Sequence, residues 1–396
     1  MKKLQSTTAI LAFIMVVNAL SYGIIIPIMY PYAERFGITP LGLTLLVTCF
    51  SIAQFISTPI LGRLSDRFGR KPVLILCLIG TSLSLGVFAL AQSIFMIFLA
   101  RIIDGITGGN ISVAQAIISD SAKGEDRAKS FGMLGAAFGM GFLFGPAIGG
   151  ILGRYGMTLP FWFAAALALI AVVISMLFLP ETLKPALRNV QVKKHEPLFK
   201  FHSLFQALFQ PYTGIVLIIS FISMMALNAF YIGFQTFTND VLKLSPLQIG
   251  AFFSAFGLVG VIMQIFAIGP VLKKFKSKKA ILQFSLIASM VSMALAFFAN
   301  SAWLFFATMM IFAILGAFRD PIISALLSER TKAEDQGGIM GINQAYMALG
   351  QIFGPLAAGL VIGSSVQSVF LVAAGFLLLS VIATKWLGVH HKPLDL

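Results

Sequence analysis

Charge is scarce in this chain. Only 11% of its 396 residues are Asp, Glu, Lys or Arg, and 14 acids face 28 bases. A soluble domain carries about 25% charged residues, so water is not this sequence's main solvent. Cysteine is rarer still: Cys49 and Cys77 both fall inside apolar runs, which argues against a disulfide framework or a thiolate metal site. The histidines His195, His202, His390 and His391 lie in a basic loop and the tail, without ligand spacing. No P-loop, HExxH or G-x-S-x-G pattern is present, so an enzyme is not expected. Strand-like alternation is also missing, which argues against an outer-membrane barrel.

What is abundant is hydrocarbon. Hydrophobic residues make up 58% of the chain, with 38 phenylalanines, and the mean hydropathy is +0.95. Apolar runs long enough to cross a bilayer recur from end to end. Twelve spans are predicted, at residues 8–32, 41–61, 72–92, 94–117, 130–153, 159–179, 211–236, 247–270, 280–299, 302–326, 339–363 and 366–388. The first run is longer than a signal-peptide core and lacks a small-residue cleavage site, so it reads as a retained helix. Twelve spans put both termini on one side. The odd-numbered loops hold only Arg35, Arg154 and Lys243, and most remaining cations fall in the termini and even-numbered loops. The positive-inside rule then places both termini in the cytoplasm. The net charge of +14 is thereby a topology signal, attracted by anionic lipid. It needs no nucleic acid.

The chain divides into residues 1–180, a basic cytoplasmic linker at 181–210, and residues 211–396. A parallel repeat supports the division. Asp120–Asp126 aligns with Glu329–Asp335, and Gly141-x-x-x-Gly145-Pro146 aligns with Gly350-x-x-x-Gly354-Pro355. Gly62–Lys71 aligns with Gly269–Lys278, where Asp66 becomes Lys273 and Arg70 becomes Ser277.

Three clusters stand out. Gly62-Arg63-Leu64-Ser65-Asp66-Arg67-Phe68-Gly69-Arg70-Lys71-Pro72 crowds charge between two apolar runs, where it cannot enter hydrocarbon. A short surface loop is expected, turning at Gly62 and Gly69, with Pro72 in the first turn of the next helix. Gly141-Phe142-Leu143-Phe144-Gly145-Pro146-Ala147-Ile148-Gly149-Gly150 is glycine-rich inside a span, which permits close helix approach. Close packing between the two halves is expected there. In the fourth span, Arg101 and Asp104 sit at i and i+3, able to pair, about 10 and about 15 Å from its outer end. Intramembrane charges usually mark a pathway. Arg319-Asp320-Pro321 in the tenth span is a similar pair, about 27 Å from the outer end, and could equally anchor the cytoplasmic side.

These motifs resemble those of the major facilitator superfamily. The Gly62–Pro72 stretch resembles its signature loop G-x-L-x-D-R-x-G-R-K/R-x. The glycine run resembles the G-x-x-x-G-P-x-x-G-G motif of the drug:proton antiporter branch, which includes multidrug and tetracycline efflux proteins. Arg101-x-x-x-Gly105 resembles the fourth-helix motif, whose arginine is implicated in proton coupling. The resemblance implies an all-α fold of twelve transmembrane helices in two pseudo-symmetric halves, multi-pass in the inner membrane and monomeric. It implies export of drug-like or amphipathic molecules by alternating access, driven by a proton gradient with no cofactor. The partners implied are the lipid bilayer, a small-molecule substrate and protons. Export of a hydrophilic metabolite or siderophore, or a non-transporting sensor, are the alternatives.

The resemblance assigns a conformational gate to Gly62, Asp66, Arg67, Gly69, Arg70 and Asp120. Arg70 is expected to pair with Asp120, and Asp66 to cap a helix of the other half, both in the outward-facing state. Proton coupling falls to Arg101, Asp104 or Asp320. Relatives often carry an aspartate in the first span where this chain has Asn18, which cannot take up a proton. The polar and aromatic cavity candidates are Asn18, Tyr22, Gln54, Asn110, Gln115, Asn228, Tyr231, Gln235 and Gln264. Asn343, Gln344 and Tyr346 join them from the eleventh span.

Overall fold

A computed structural model describes residues 2–121, 124–183, 201–275, 277–329, 331 and 336–388. The linker from 184 to 200, His195, His390, His391 and the 332–335 part of the repeat lie outside the described residues. The fold is all-helical, with no strand among the described residues. Twelve helices are long and apolar enough to cross a membrane. The first six spans are Ala9–Glu34, Pro40–Phe68, Arg70–Ala89, Ile94–Ser121, Ala136–Gly153 and Leu159–Phe178. The last six are Pro211–Val241, Pro246–Leu272, Lys278–Phe297, Ala302–Glu329, Gly338–Ile362 and Ser368–Leu387.

The spans gather into two units. Unit 1 holds Met1–Thr39, Cys49–Phe199 and Leu244–Ala255, and unit 2 holds Pro40–Thr48, Lys200–Lys243 and Phe256–Leu396. Within unit 1 the first span packs on the fifth and sixth, and the third on the fourth and sixth. Within unit 2 the seventh packs on the eleventh and twelfth, and the ninth on the tenth and twelfth. The second six spans thus repeat the neighbours of the first six.

Local chemistry sets the helix ends. Ser93 and Ser301 cap the fourth and tenth spans, their hydroxyls accepting from the amides of Met96 at 3.4 Å and Leu304 at 3.3 Å. The fourth span is two helices, Ile94–Thr107 and Asn110–Ser121, parted at Gly108–Gly109. The tenth is also broken, between Gly316 and Arg319. Pro321, in the first turn of its second piece, has no N–H to continue the bonding across that break. Sequence patterning read each of these as one uninterrupted span.

The expectation of a surface loop at Gly62–Pro72 is corrected. The second helix runs on to Phe68 and the third begins at Arg70. Gly69 alone makes the break, at φ 110°, a conformation that side chains with a Cβ rarely adopt. Gly62 is helical and turns nothing. Apolar character stops at the membrane surface, but backbone hydrogen bonding continues past it.

Candidate functional site

Arg70 is the hub of the charged cluster in unit 1. Its side chain is 8% exposed, and its Nη1 lies 2.6 Å from Asp66 Oδ1. The same Nη1 donates to Ser65 Oγ at 2.6 Å, and Nε donates to Asp120 Oδ2 at 2.9 Å. One guanidinium therefore ties the second span to the fourth. The backbone joins in. The amides of Arg70 and Lys71 donate to the two oxygens of Glu181 at 3.0 and 3.2 Å. Glu181 follows the sixth span, so its carboxylate caps the positive N-terminus of the third helix. Sequence reading assigned Glu181 to the linker and missed this role. A lone acid just past an apolar run carries no signal for a partner so far away in sequence. Arg67 stays outside the network, exposed, with its guanidinium 5.3 Å from the Phe68 ring.

Deeper in unit 1, Arg101 Nη1 donates to Asp104 Oδ2 at 2.9 Å, with side chains 5% and 13% exposed. The guanidinium carbon lies 4.2 Å from the Phe50 ring centroid, a cation–π contact. The Tyr22 side chain lies close enough to feel the charges of both Arg101 and Asp104. Ser84, whose hydroxyl donates to the Thr81 carbonyl at 2.8 Å, lies near the Asp104 carboxylate. Tyr22 packs its ring against Phe50 and Phe142, with centroids 6.3 and 6.0 Å away, yet it is 42% exposed. A buried ion pair with one accessible aromatic edge is the result.

The nearby amides mostly serve the backbone and one another. Asn110 Nδ2 donates to Asn18 Oδ1 at 3.1 Å. Gln54 Nε2 and Ser57 Oγ donate to the Gly108 and Gly105 carbonyls, each at 3.1 Å. These bonds meet carbonyls at the break in the fourth span, where that of Gly105 also accepts from the Gly108 amide at 3.1 Å. Gln115 is exposed.

The glycine run packs within unit 1. A Cβ on Gly141 would meet the Ala19 carbonyl carbon at 2.5 Å, and one on Gly145 would meet Gly23 Cα at 2.7 Å. Gly149 faces the backbone of Ile24 in the same way. The expectation that Gly145 packs between halves is thus corrected: its partner is the first span of its own unit. The neighbours of Gly150 are Pro246 and Leu247, at the start of the eighth span, which also belongs to unit 1. A Cβ on Gly250 would meet the Pro146 carbonyl oxygen.

Unit 2 answers with phenylalanine. The rings of Phe230 and Phe312 are 5.0 Å apart, and Phe256 lies 5.9 Å from Phe230 and 6.2 Å from Phe312. Phe237, Phe305 and Phe370 form a second knot. Tyr231 is half-buried, 5.7 Å from Phe230. Asn228 Nδ2 donates to the Met224 carbonyl at 3.0 Å, and Tyr346 donates to the Leu204 carbonyl at 3.1 Å. Gln235 and Asn343 are buried, each with a carbonyl oxygen that has no partner. Gln264 and Gln344 are exposed. The Arg319 side chain is 5% exposed and reaches Asp320 through Nε at 3.4 Å, while the Asp320 side chain is 55% exposed.

Known proteins match along nearly the whole chain. The family model of the Major Facilitator Superfamily matches residues 11–267 and 216–395. Multidrug resistance protein 2 of Bacillus subtilis (strain 168) is 30% identical over 361 residues, covering 91% of this chain and 89% of that protein. Tetracycline resistance protein, class C, of Escherichia coli is 31% identical over 323 residues, covering 82% and 80%. Among solved structures, the nucleoside transporter NupG superposes with a TM-score of 0.79 at 15% identity, covering 96% of this chain and 99% of that one. These matches fit the twelve spans and the repeated helix neighbours. The chain is a multi-pass membrane protein and a member of the Major Facilitator Superfamily, similar to its multidrug and tetracycline resistance proteins.

Proposed function

We propose that the protein exports drug-like or amphipathic small molecules from the cytoplasm in exchange for protons. It works as a monomer in the inner membrane, by alternating access, with both termini cytoplasmic. The supporting observation is the buried Arg101–Asp104 pair with its three side-chain neighbours. A proton and the Arg101 guanidinium compete for the same carboxylate oxygen. Removing one member of a buried pair outright costs about 3–5 kcal/mol, so Arg101 cannot simply leave. Phe50 and Tyr22 lower that cost. A desolvated cation–π contact is worth about 2 kcal/mol, and the nearby Tyr22 hydroxyl offers a second acceptor. When Arg101 leans toward them, Asp104 takes up the proton. When the proton leaves, the pair re-forms. A substrate ring placed on exposed Tyr22 would bias this exchange, which links export to proton entry.

The likeness to multidrug and tetracycline resistance proteins supports the drug-like class. The amides nearest the pair, Asn18, Gln54 and Asn110, already have protein partners, so export of a hydrophilic metabolite would have to draw on others such as Gln235 and Asn343. Everted vesicles with an imposed pH gradient test the reading, with tetracycline and ethidium as substrates. Asp104→Asn should abolish uphill transport while leaving substrate exchange down its own gradient. Full uphill transport by this variant would overturn Asp104 as carrier and shift suspicion to Asp320. A wild-type chain that moves no compound uphill would favour a transporter-like sensor.

A further inference from the structure

The tenth span of unit 2 carries a buried cation whose compensation is incomplete. Arg319 is 4% exposed, and its Nη1 has no hydrogen-bond partner. Among the described residues its one ion-pair contact uses Nε, at 3.4 Å, to an Asp320 carboxylate that is itself more than half exposed. Arg101 in unit 1 is better met, with a carboxylate at 2.9 Å and an aromatic face at 4.2 Å, although its Nε also lacks a hydrogen-bond partner. A guanidinium is rarely left so short of acceptors at this burial, because desolvating it costs several kcal/mol. The open donor is the end of a planar fork shaped for a carboxylate.

The surroundings limit what that acceptor is attached to. Phe305, Phe312 and Arg319 follow one another at seven-residue spacing in the tenth span, and all three are buried. Phe305 and Phe312 are about two helical turns apart on one face of the first piece of the span, and Arg319 opens the second piece just across the break. Phe312 joins the Phe230–Phe256 stack, whose Phe256 is only partly buried. The Arg319–Glu329 helix packs on the seventh span, which also supplies Phe230. A molecule with an anionic head and an aromatic body matches this order of groups.

We infer that Arg319 is an anion anchor of unit 2, and that the molecules the protein takes include aromatic carboxylates. The anionic head accepts from Nη1 and the body lies toward the Phe256–Phe312 stack. This rests on the proposed exporter function for its transport meaning, but binding can be read without it. Asp320 competes with the ligand for the guanidinium, which gives the anchor two opposite handles.

The test uses the purified full chain in lipid nanodiscs, with 2-naphthoate and its neutral counterpart 2-naphthamide as probes. Binding is followed by calorimetry and by the shift in melting temperature. The wild type should bind naphthoate about tenfold or more tightly than naphthamide. Arg319→Gln should lose that preference, Arg319→Lys should keep part of it, and Asp320→Asn should increase it. Arg319→Gln should also melt no lower than the wild type in the absence of probe, since it removes an uncompensated buried charge. Equal affinity for both probes, no binding of either, or a preference that survives Arg319→Gln would overturn the inference. A melting temperature that falls in both Arg319 variants, with naphthoate giving neither any protection, would also overturn it and mark Arg319 as structural. Binding without uphill transport in vesicles would leave the anchor standing and count against the exporter reading alone.

Discussion

Unit 1 and unit 2 meet the same repeated positions with different chemistry. In unit 1 the third helix begins with Arg70, whose side chain pairs with Asp120, and Glu181 caps that helix from a distant segment. In unit 2 the aligned residue is Ser277, which caps the ninth helix itself by accepting from the Ala280 amide at 3.2 Å. The pairing passes to Lys278, the counterpart of Lys71, which pairs with Glu329, the aligned partner of Asp120. Both units therefore keep a cap and a cross-helix pair. Unit 1 builds them from buried, shared groups and unit 2 from local, exposed ones. The same contrast holds deeper in. Arg101 is met by a carboxylate and a ring, while Arg319 has one long ion-pair contact among the described residues. Repetition fixes where helices start and which neighbours they meet. It leaves each unit free to spend its charges differently, and unit 1 concentrates them.

The glycine runs allow the harshest break of this comparison. Gly145 lies on Gly23, and the aligned Gly354 lies on Met225 and Asn228, with a built Cβ 2.6 Å from the Met225 carbonyl oxygen. The partners differ, yet both glycines face backbone that cannot swing aside. Gly145→Leu and Gly354→Leu should each destabilise the fold by about 3 kcal/mol or more, seen as lost monodisperse protein in size-exclusion chromatography. Gly86→Leu, where nothing lies within 4 Å of the added Cβ, should behave as wild type. A tolerated Gly354→Leu would show that the repeat has relaxed in unit 2.

A smaller effect separates the two cross-helix pairs. The Arg70 and Asp120 side chains are 8% and 21% exposed, while those of Lys278 and Glu329 are 31% and 51%. Asp120→Asn leaves a mostly buried guanidinium with less compensation and should cost about 1–3 kcal/mol. Glu329→Gln should cost at most about 1 kcal/mol, because exposed pairs are worth little. Thermal unfolding of both variants in one detergent checks the order. Equal losses would mean that burial does not set the difference between the units.

Much of this arrangement was legible in the sequence, for physical reasons. The twelve spans follow from hydropathy, because each must cover the hydrocarbon thickness. Arg101 and Asp104 were readable as a pair because helical geometry alone brings i and i+3 together. The Arg70–Asp120 pair was reached through family likeness, since no local rule links two spans. What stayed hidden depends on tertiary contact. Phe50 is one of 38 phenylalanines, and nothing in its flanks marks it as the ring over Arg101. The partner of Gly145 was misjudged because a glycine run shows that something approaches, not which helix does. The break at Gly108–Gly109 was passed over because carbonyls there are met by Ser57 and Gln54 of another span.

The two caps give the smallest and most discriminating comparison. Glu181 holds both the Arg70 and Lys71 amides, and it also accepts from its near neighbour Leu183 at 2.9 Å. Its charge faces the positive end of the third helix, a contribution of about 0.3–1 kcal/mol beyond the hydrogen bonds. Ser277 offers one neutral hydroxyl to one amide, worth about 1 kcal/mol. Glu181→Ala should therefore cost somewhat more than Ser277→Ala, and Glu181→Gln should fall between, keeping an acceptor but losing the charge. Stability alone would blur differences this small. Amide hydrogen exchange resolves them, because each cap protects named groups. Glu181→Ala should speed exchange at Arg70 and Lys71 and leave Ala280 unchanged, while Ser277→Ala should do the reverse. Because Glu181 follows the sixth span, losing it should also loosen residues 179–183, an effect that a self-contained cap such as Ser277 cannot transmit. Unchanged exchange at Arg70 and Lys71 in Glu181→Ala would show that the third helix is held by Arg70 and its side-chain partners alone. Unit 1 would then have no need of its long-range cap.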